Sequence, residues 1–165
     1  MLAVSTRATE VLGDMLTSRD GIGAQMNALR QTGLTDLPSD TPISVSKGNY
    51  SIALSDRTKG MKYPQIVVYC VRVENSLRQK FQQFSGKVDM VVEIRHSADR
   101  LDRLEAETQG CVEAVLRVLD RSRGELSEGL YYSGRYDVRF EPIGKGGKNF
   151  AQTAKVGLSL EVNVA

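Results

Sequence analysis

The chain has 165 residues, a formal net charge of +2, 41% hydrophobic and 25% charged residues. That is the length and composition of one globular domain, able to bury about two-thirds of its unfolded surface without a metal or disulfide staple. The small charge, the 6% aromatic content and the absence of Trp argue against a nucleic-acid binder that works by basic patches or base stacking.

The first residues, Met1 to Arg7, lack a basic n-region and an apolar h-region, which predicts no signal peptide. No run of about 20 apolar residues predicts a membrane span. Asn49, Tyr50 and Ser51 form a glycosylation sequon, read as chance in a protein made and kept in a cytoplasm. Residues 5 to 31 read as two short helices with a break at Arg19, Asp20 and Gly21. Val11, Leu12, Met15 and Leu16 form one apolar stripe; Ile22, Met26 and Leu29 form the other, and Gly33 can end the second helix. Both stripes are narrow and need a sheet or a neighbouring subunit to pack on.

From about residue 32 to 62 the pattern weakens, punctuated by Pro38, Pro42, Gly48 and Gly60. A connection this long predicts an extended arm or interface loop. Within it, Tyr50, Ile52 and Leu54 alternate, predicting a short strand at Asn49 to Ser55. Tyr63 to Glu74 reads as a strand with Val67, Tyr69, Val71 and Val73 on one face and Ile66, Val68 and Cys70 on the other. Apolar residues on both faces predict that the second is also covered, by an N-terminal helix or by a partner. Asn75 to Gln83 reads as a connection to the next strand.

Ser85 to Gly124 carries the clearest signal. Val88, Met90, Val92 and Ile94 alternate with Lys87, Asp89, Glu93 and Arg95 up to His96, with only Val91 departing. That is a strand with one buried and one wet face. Leu101, Leu104, Thr108, Cys111, Val112, Val115, Val118 and Leu119 then recur at helical spacing. Ser97 is the expected N-cap and Gly124 the expected C′ residue, giving a helix of roughly 40 Å laid across the sheet. Glu125 to Gly134 reads as a turn, Arg135 to Glu141 as a strand, Pro142 to Lys148 as a glycine-rich loop, and Phe150 to Val164 as a long last strand. The expected fold is α+β: an antiparallel or mixed sheet of four to five strands with a long helix and N-terminal helices packed against it, all in one domain.

The chemistry is sparse. His96 is the one histidine, and its neighbours Ser97 and Asp99 point apart on a strand end, so no triad forms. It reads as a histidine in a polar contact. Cys70 and Cys111 read as reduced core thiols; one His and two separated Cys make no standard zinc site. The loop Gly144 to Lys148 fails as a phosphate loop. Pro142 stands where a glycine is needed, Asn149 where a Ser or Thr is needed, and a strand rather than a helix follows. Acidic residues early in the long helix and Arg117, Arg121 and Arg123 late in it complement the helix dipole. No catalytic, cofactor or metal set is expected, and the chain reads as a non-enzyme.

Several stretches resemble the tail terminator (tail completion) proteins of long-tailed bacteriophages. They are Tyr63 to Glu74 (YPQIVVYCVRVE), Phe84 to Ile94 (FSGKVDMVVEI), the helix from Glu107 to Leu119, Tyr132 to Phe140 (YSGRYDVRF), and Gly146 to Val162 (GGKNFAQTAKVGLSLEV). Gln152, Thr153 and Ala154 entering a final alternating strand are the most characteristic part. The resemblance covers about residues 60 to 165; the stretch from Thr32 to Met61 has no counterpart. It implies a virion protein, assembled in the host cytoplasm, that forms a hexameric ring on the head-proximal end of the tail tube. The ring stops tube polymerisation, meets the head connector, and lets DNA pass through its lumen without specific binding. Ile66, Val68, Cys70, Arg100 and Arg103 are then candidate subunit-interface residues. Lys47, Lys59, Lys145 and Lys148 are candidate loop contacts to tube, connector or lumen DNA. The competing expectations are another head–tail connector or tube protein, a small ligand-binding domain with a pocket near His96, Tyr69 or Tyr136, and a nucleic-acid binder using Lys145 and Lys148.

Overall fold

A computed structural model describes residues 2–33, 37–38, 43–48, 62–76 and 80–165. The elements run α1 (Leu2–Thr17), α2 (Ile22–Gln31), β1 (Ser44–Lys47), β2 (Gln65–Glu74), β3 (Phe84–Ala98), α3 (Leu101–Arg121), β4 (Gly124–Ser127), β5 (Leu130–Phe140), β6 (Gly144–Gly146) and β7 (Asn149–Val164). The class is α+β, as expected, but among the described residues the sheet has seven strands rather than four to five. Its order is β1-β2-β3-β7-β5-β4, with β6 added on β7. Only the β1–β2 pairing is parallel; the other pairings are antiparallel.

The three extra strands are short, and each escaped the alternation test for a local reason. β1 has four residues, too few to establish a period. The strand expected at Asn49 to Ser55 lies outside the described residues. β4 and the start of β5 occupy the stretch expected to be a turn. Gly129 holds φ +74 at the tip of their hairpin, and Asn163 donates its N–H to the Gly129 carbonyl at 2.8 Å. A Cβ there would collide with the Asn163 carbonyl oxygen, so glycine is required twice over. Between Tyr132 and Tyr136 the register of β5 slips against β7, with Gly134 at φ +89. That irregularity hides the upstream half of the strand from a period-two search. β6 is three residues of the glycine-rich loop.

β3 and β7 form the spine, paired without a break from Phe84–Val164 to Ala98–Phe150. Val88, Met90, Val92 and Ile94 of β3 and Ala154, Val156, Leu160 and Val162 of β7 put one apolar face into the core. Helix α3 lies against β3 and β7, α1 against β2 and β1, and α2 against α3. Leu12 and Leu16 of α1, Ile22, Met26 and Leu29 of α2, and Leu104, Cys111, Val115 and Leu119 of α3 are buried. The N-terminal stripes therefore pack within the subunit. Full burial of one such aliphatic side chain stabilises the fold by about 1.5–3 kcal/mol, so this helical layer is a large part of the fold's stability. No helix among the described residues is long and apolar enough to cross a membrane.

Two boundaries differ from the expected ones. β3 continues through Ser97 to Ala98, and the residue preceding α3 is Arg100. Ser97 donates its hydroxyl across the sheet to the Phe150 carbonyl at 3.0 Å instead of capping the helix. Helix α3 therefore has 21 residues and spans about 32 Å, shorter than the 15-residue strand beside it, which reaches about 50 Å.

Candidate interaction surface

The histidine and the buried cysteine are both engaged in holding the fold. His96 lies near the end of the core-facing row of β3, one step before Ala98, and is buried against the first turns of α3. Its Nε2 donates to Glu107 Oε2 at 2.5 Å, since a carboxylate can only accept. Arg103 Nε donates to the other carboxylate oxygen at 2.7 Å, and Asp99 stands 3.9 Å from Arg103. Nδ1 of His96 has no partner. The arrangement ties the strand end to the helix. One turn on, Cys111 is fully buried and its thiol is pushed up to about 12, mainly by burial. It is an inert core group. Cys70 and Cys111 are both free, and no cluster of metal-ligating side chains is present among the described residues.

The opposite face of the sheet carries the exposed polar surface, but only part of it. Lys87, Arg135 and Glu161 are exposed, while Glu93 and Arg95, expected on the wet face, are 6% and 4% exposed. They are compatible with burial because they pair. Arg95 donates to Glu93 at 2.6 Å, and Lys155 lies 3.7 Å from Glu93 and 2.7 Å from Glu141. Hydrogen bonding to Glu141 raises the Lys155 pKa, and burial raises that of Tyr69. Beyond this network the face opens into a groove of about 940 Å³ lined by Val71, Lys87, Asp89, Arg135, Asp137 and Glu161 among others. Within it Ser159 donates to Asp89 at 2.5 Å.

The candidate interface residues separate into two groups. Ile66 and Val68 are fully buried in the subunit's own core, and Cys70 packs beside it. Helix α1 covers Ile66 and Val68 on that face of β2, so their side chains are occupied within the subunit, while Cys70 stays half-buried. Arg100 and Arg103 lie on the surface at the start of α3, where Arg100 holds Asp102 at 2.8 Å. The backbone N–H of Arg103 and then Arg100 keep the Asp102 carboxyl below its usual range. The candidate loop lysines also diverge. Lys47 is held by Asp14 at 3.0 Å, with its stem over Gly13. Lys145 and Lys148 are exposed in the β6–β7 hairpin, and Lys59 lies outside the described residues.

Alternation did not single out the unfilled edges of the sheet. β1 reaches only as far as Val68 on β2, and β4 only as far as Tyr132 on β5. Past those points Val71 is 55% and Phe140 47% exposed, with Val73 and Tyr136 also in solvent. Phe81, in the β2–β3 connection, has φ +68 and is 98% exposed. Val71, Val73, Tyr136 and Phe140 lie on strands whose described neighbours are too short to cover them, and no pattern in the sequence announces this because those neighbours are themselves too short to show a period. Compared with models of known protein families and with curated proteins, the chain matches none.

Proposed function

We propose that the protein is a structural subunit of a bacteriophage tail: a ring-forming tail terminator that caps the tail tube and joins it to the head connector. The observation that carries the proposal is where the resembling stretches fall. Residues 63–162 supply the adjacent strands β2, β3, β7 and β5 and the helix α3 that covers them. The resemblance therefore follows one architectural unit rather than scattered loops. Two further features support it. The His96–Glu107 pair and the Glu93–Arg95–Lys155 network are explained by folding alone. One face of the sheet is layered with helices, while among the described residues the other face and both edges stay partly open, which suits association with further copies. On this proposal the lysines at the β6–β7 tip face a tube, a connector or passing DNA, and binding to free DNA is weak and strongly salt-dependent.

The test is tube growth. Tail tube protein is polymerised alone and with this chain added. Tubes of arrested length with density at one end support a terminator; co-polymerisation along the tube supports a tube protein, and no effect contradicts both. The ligand-binding alternative has one observation in its favour, the groove beside Tyr136. It predicts a small molecule that raises the melting temperature of the wild type but not of a Tyr136→Ala variant.

A further inference from the structure

We infer that copies of this chain associate head to tail by strand addition, the part of the β2 edge that no described strand covers in one copy pairing antiparallel with the corresponding edge of β5 in the next. This refines the ring-forming proposal and rests on it only for the expectation that copies associate. Beyond Val68, no described strand pairs with the outer side of β2; beyond Tyr132, none pairs with the outer side of β5. Glu141 donates its N–H to Thr153 on β7 at 2.9 Å. Alternation along an antiparallel ladder then points the N–H and C=O of Tyr136, Val138 and Phe140 away from β7, toward solvent. Open edges are normally blunted by charge or proline. These carry charges too, but with exposed apolar residues between them, Val71 and Val73 on one side and Tyr136 and Phe140 on the other.

The two edges are complementary in direction and in charge. Strand direction alternates through β2, β3, β7 and β5, so β2 and β5 run oppositely. A copy related by simple rotation brings its β5 antiparallel to β2 and continues the alternation. With Arg72 opposite Asp137, the antiparallel register places Glu74 opposite Arg135 and Val73 opposite Tyr136. Both charged pairs then have opposite signs, and opposite charges directly across a sheet are stabilising. In the single chain these groups make only exposed contacts along their own strands, Arg72 to Glu74 at 2.6 Å and Arg139 to Asp137 at 3.3 Å. The occupant is a second copy because one molecule carries both halves of the match. Two-fold pairing of either edge with itself would leave the other edge uncovered, whereas head-to-tail pairing covers both.

Cysteine cross-linking tests the register. In a Cys70→Ser background, Arg72→Cys and Asp137→Cys are made singly and together; buried Cys111 does not react. Directly opposed residues of an antiparallel pair lie within disulfide reach. Oxidation should give covalent heterodimers when the two single variants are mixed, and a ladder from dimer upward when one chain carries both. Arg72→Asp or Asp137→Arg alone should lower the assembled fraction, and the two together should restore it. Arg72 and Asp137 are exposed, and melting curves check that each variant, the Cys70→Ser background included, folds. Assembly by light scattering without a ladder would overturn this contact while leaving the ring proposal standing. Homodimers from a single variant would replace it with a two-fold contact. A monomer at every concentration and on tail tubes would overturn both.

Discussion

Replacing Glu107 with Ala is the sharpest probe of whether the one histidine has a structural or a chemical role. The carboxylate is almost fully buried and takes hydrogen bonds from His96 at 2.5 Å and Arg103 at 2.7 Å. Its removal deletes a buried bond to a charged acceptor, worth about 1.5–3 kcal/mol. The half-exposed Arg103 arm adds at most about 0.5 kcal/mol. It also strands an imidazole whose Nδ1 already has no partner. A loss of about 2–3 kcal/mol follows, and in a chain of this length that lowers the melting temperature by about 4–12 °C. Thermal melts by circular dichroism on wild type, Glu107→Ala, His96→Ala and the double variant measure it. Because the two groups serve one contact, the double variant should fall little below the singles, with a coupling of about 1–3 kcal/mol. Assembly mass should be unchanged. Losses that simply add, or a change in assembly with no change in melting, would refute the structural role.

Other substitutions test the packing. Leu12→Ala in α1 empties a fully buried site and should cost about 2–5 kcal/mol in the dilute, unassembled protein; an unchanged melt would mean that α1 packs elsewhere. Gly129→Ala must hold a side chain at φ +74 against the Asn163 carbonyl and should cost about 2 kcal/mol or more, read by urea unfolding. Tyr132 is buried with no partner for its hydroxyl, and burial pushes its phenol up to about 12. Its folded pKa is raised, so the stability it contributes is present below the ordinary phenol value of about 10 and is lost as pH rises toward 12. Tyr132→Phe should match or exceed wild type at pH 7 and lose less stability between pH 10 and 12; a larger alkaline loss in the variant would contradict the burial.

Long regular elements were legible in the sequence. The alternation from Lys87 to His96 and the 3.6-residue recurrence from Leu104 to Leu119 identify β3 and α3 because each has a long dry face; Leu101, read as the start of that stripe, is 50% exposed. The break at Arg19 to Gly21 separates α1 from α2 as the chain chemistry requires. Short elements were not legible: β1, β4 and β6 have three or four residues each, too few to show a period. Covering layers were also hidden. Periodicity showed that Ile66 and Val68 are buried but could not say by what, and the cover is α1 rather than a neighbour. Glu93 and Arg95 read as wet because a lone charge belongs in water; tertiary pairing with Lys155 reverses that. The bond from His96 to Glu107 joins residues 11 apart across a change of period, so no local pattern announces it.

The most direct test of the account is the mass of the purified protein by light scattering across a dilution series, with negative-stain images of the same samples. The account predicts a closed ring with the mass of six subunits, formed either in solution or from monomers on meeting tail tubes. Open-ended filaments that lengthen with concentration, or a monomer that ignores tail tubes, would contradict it.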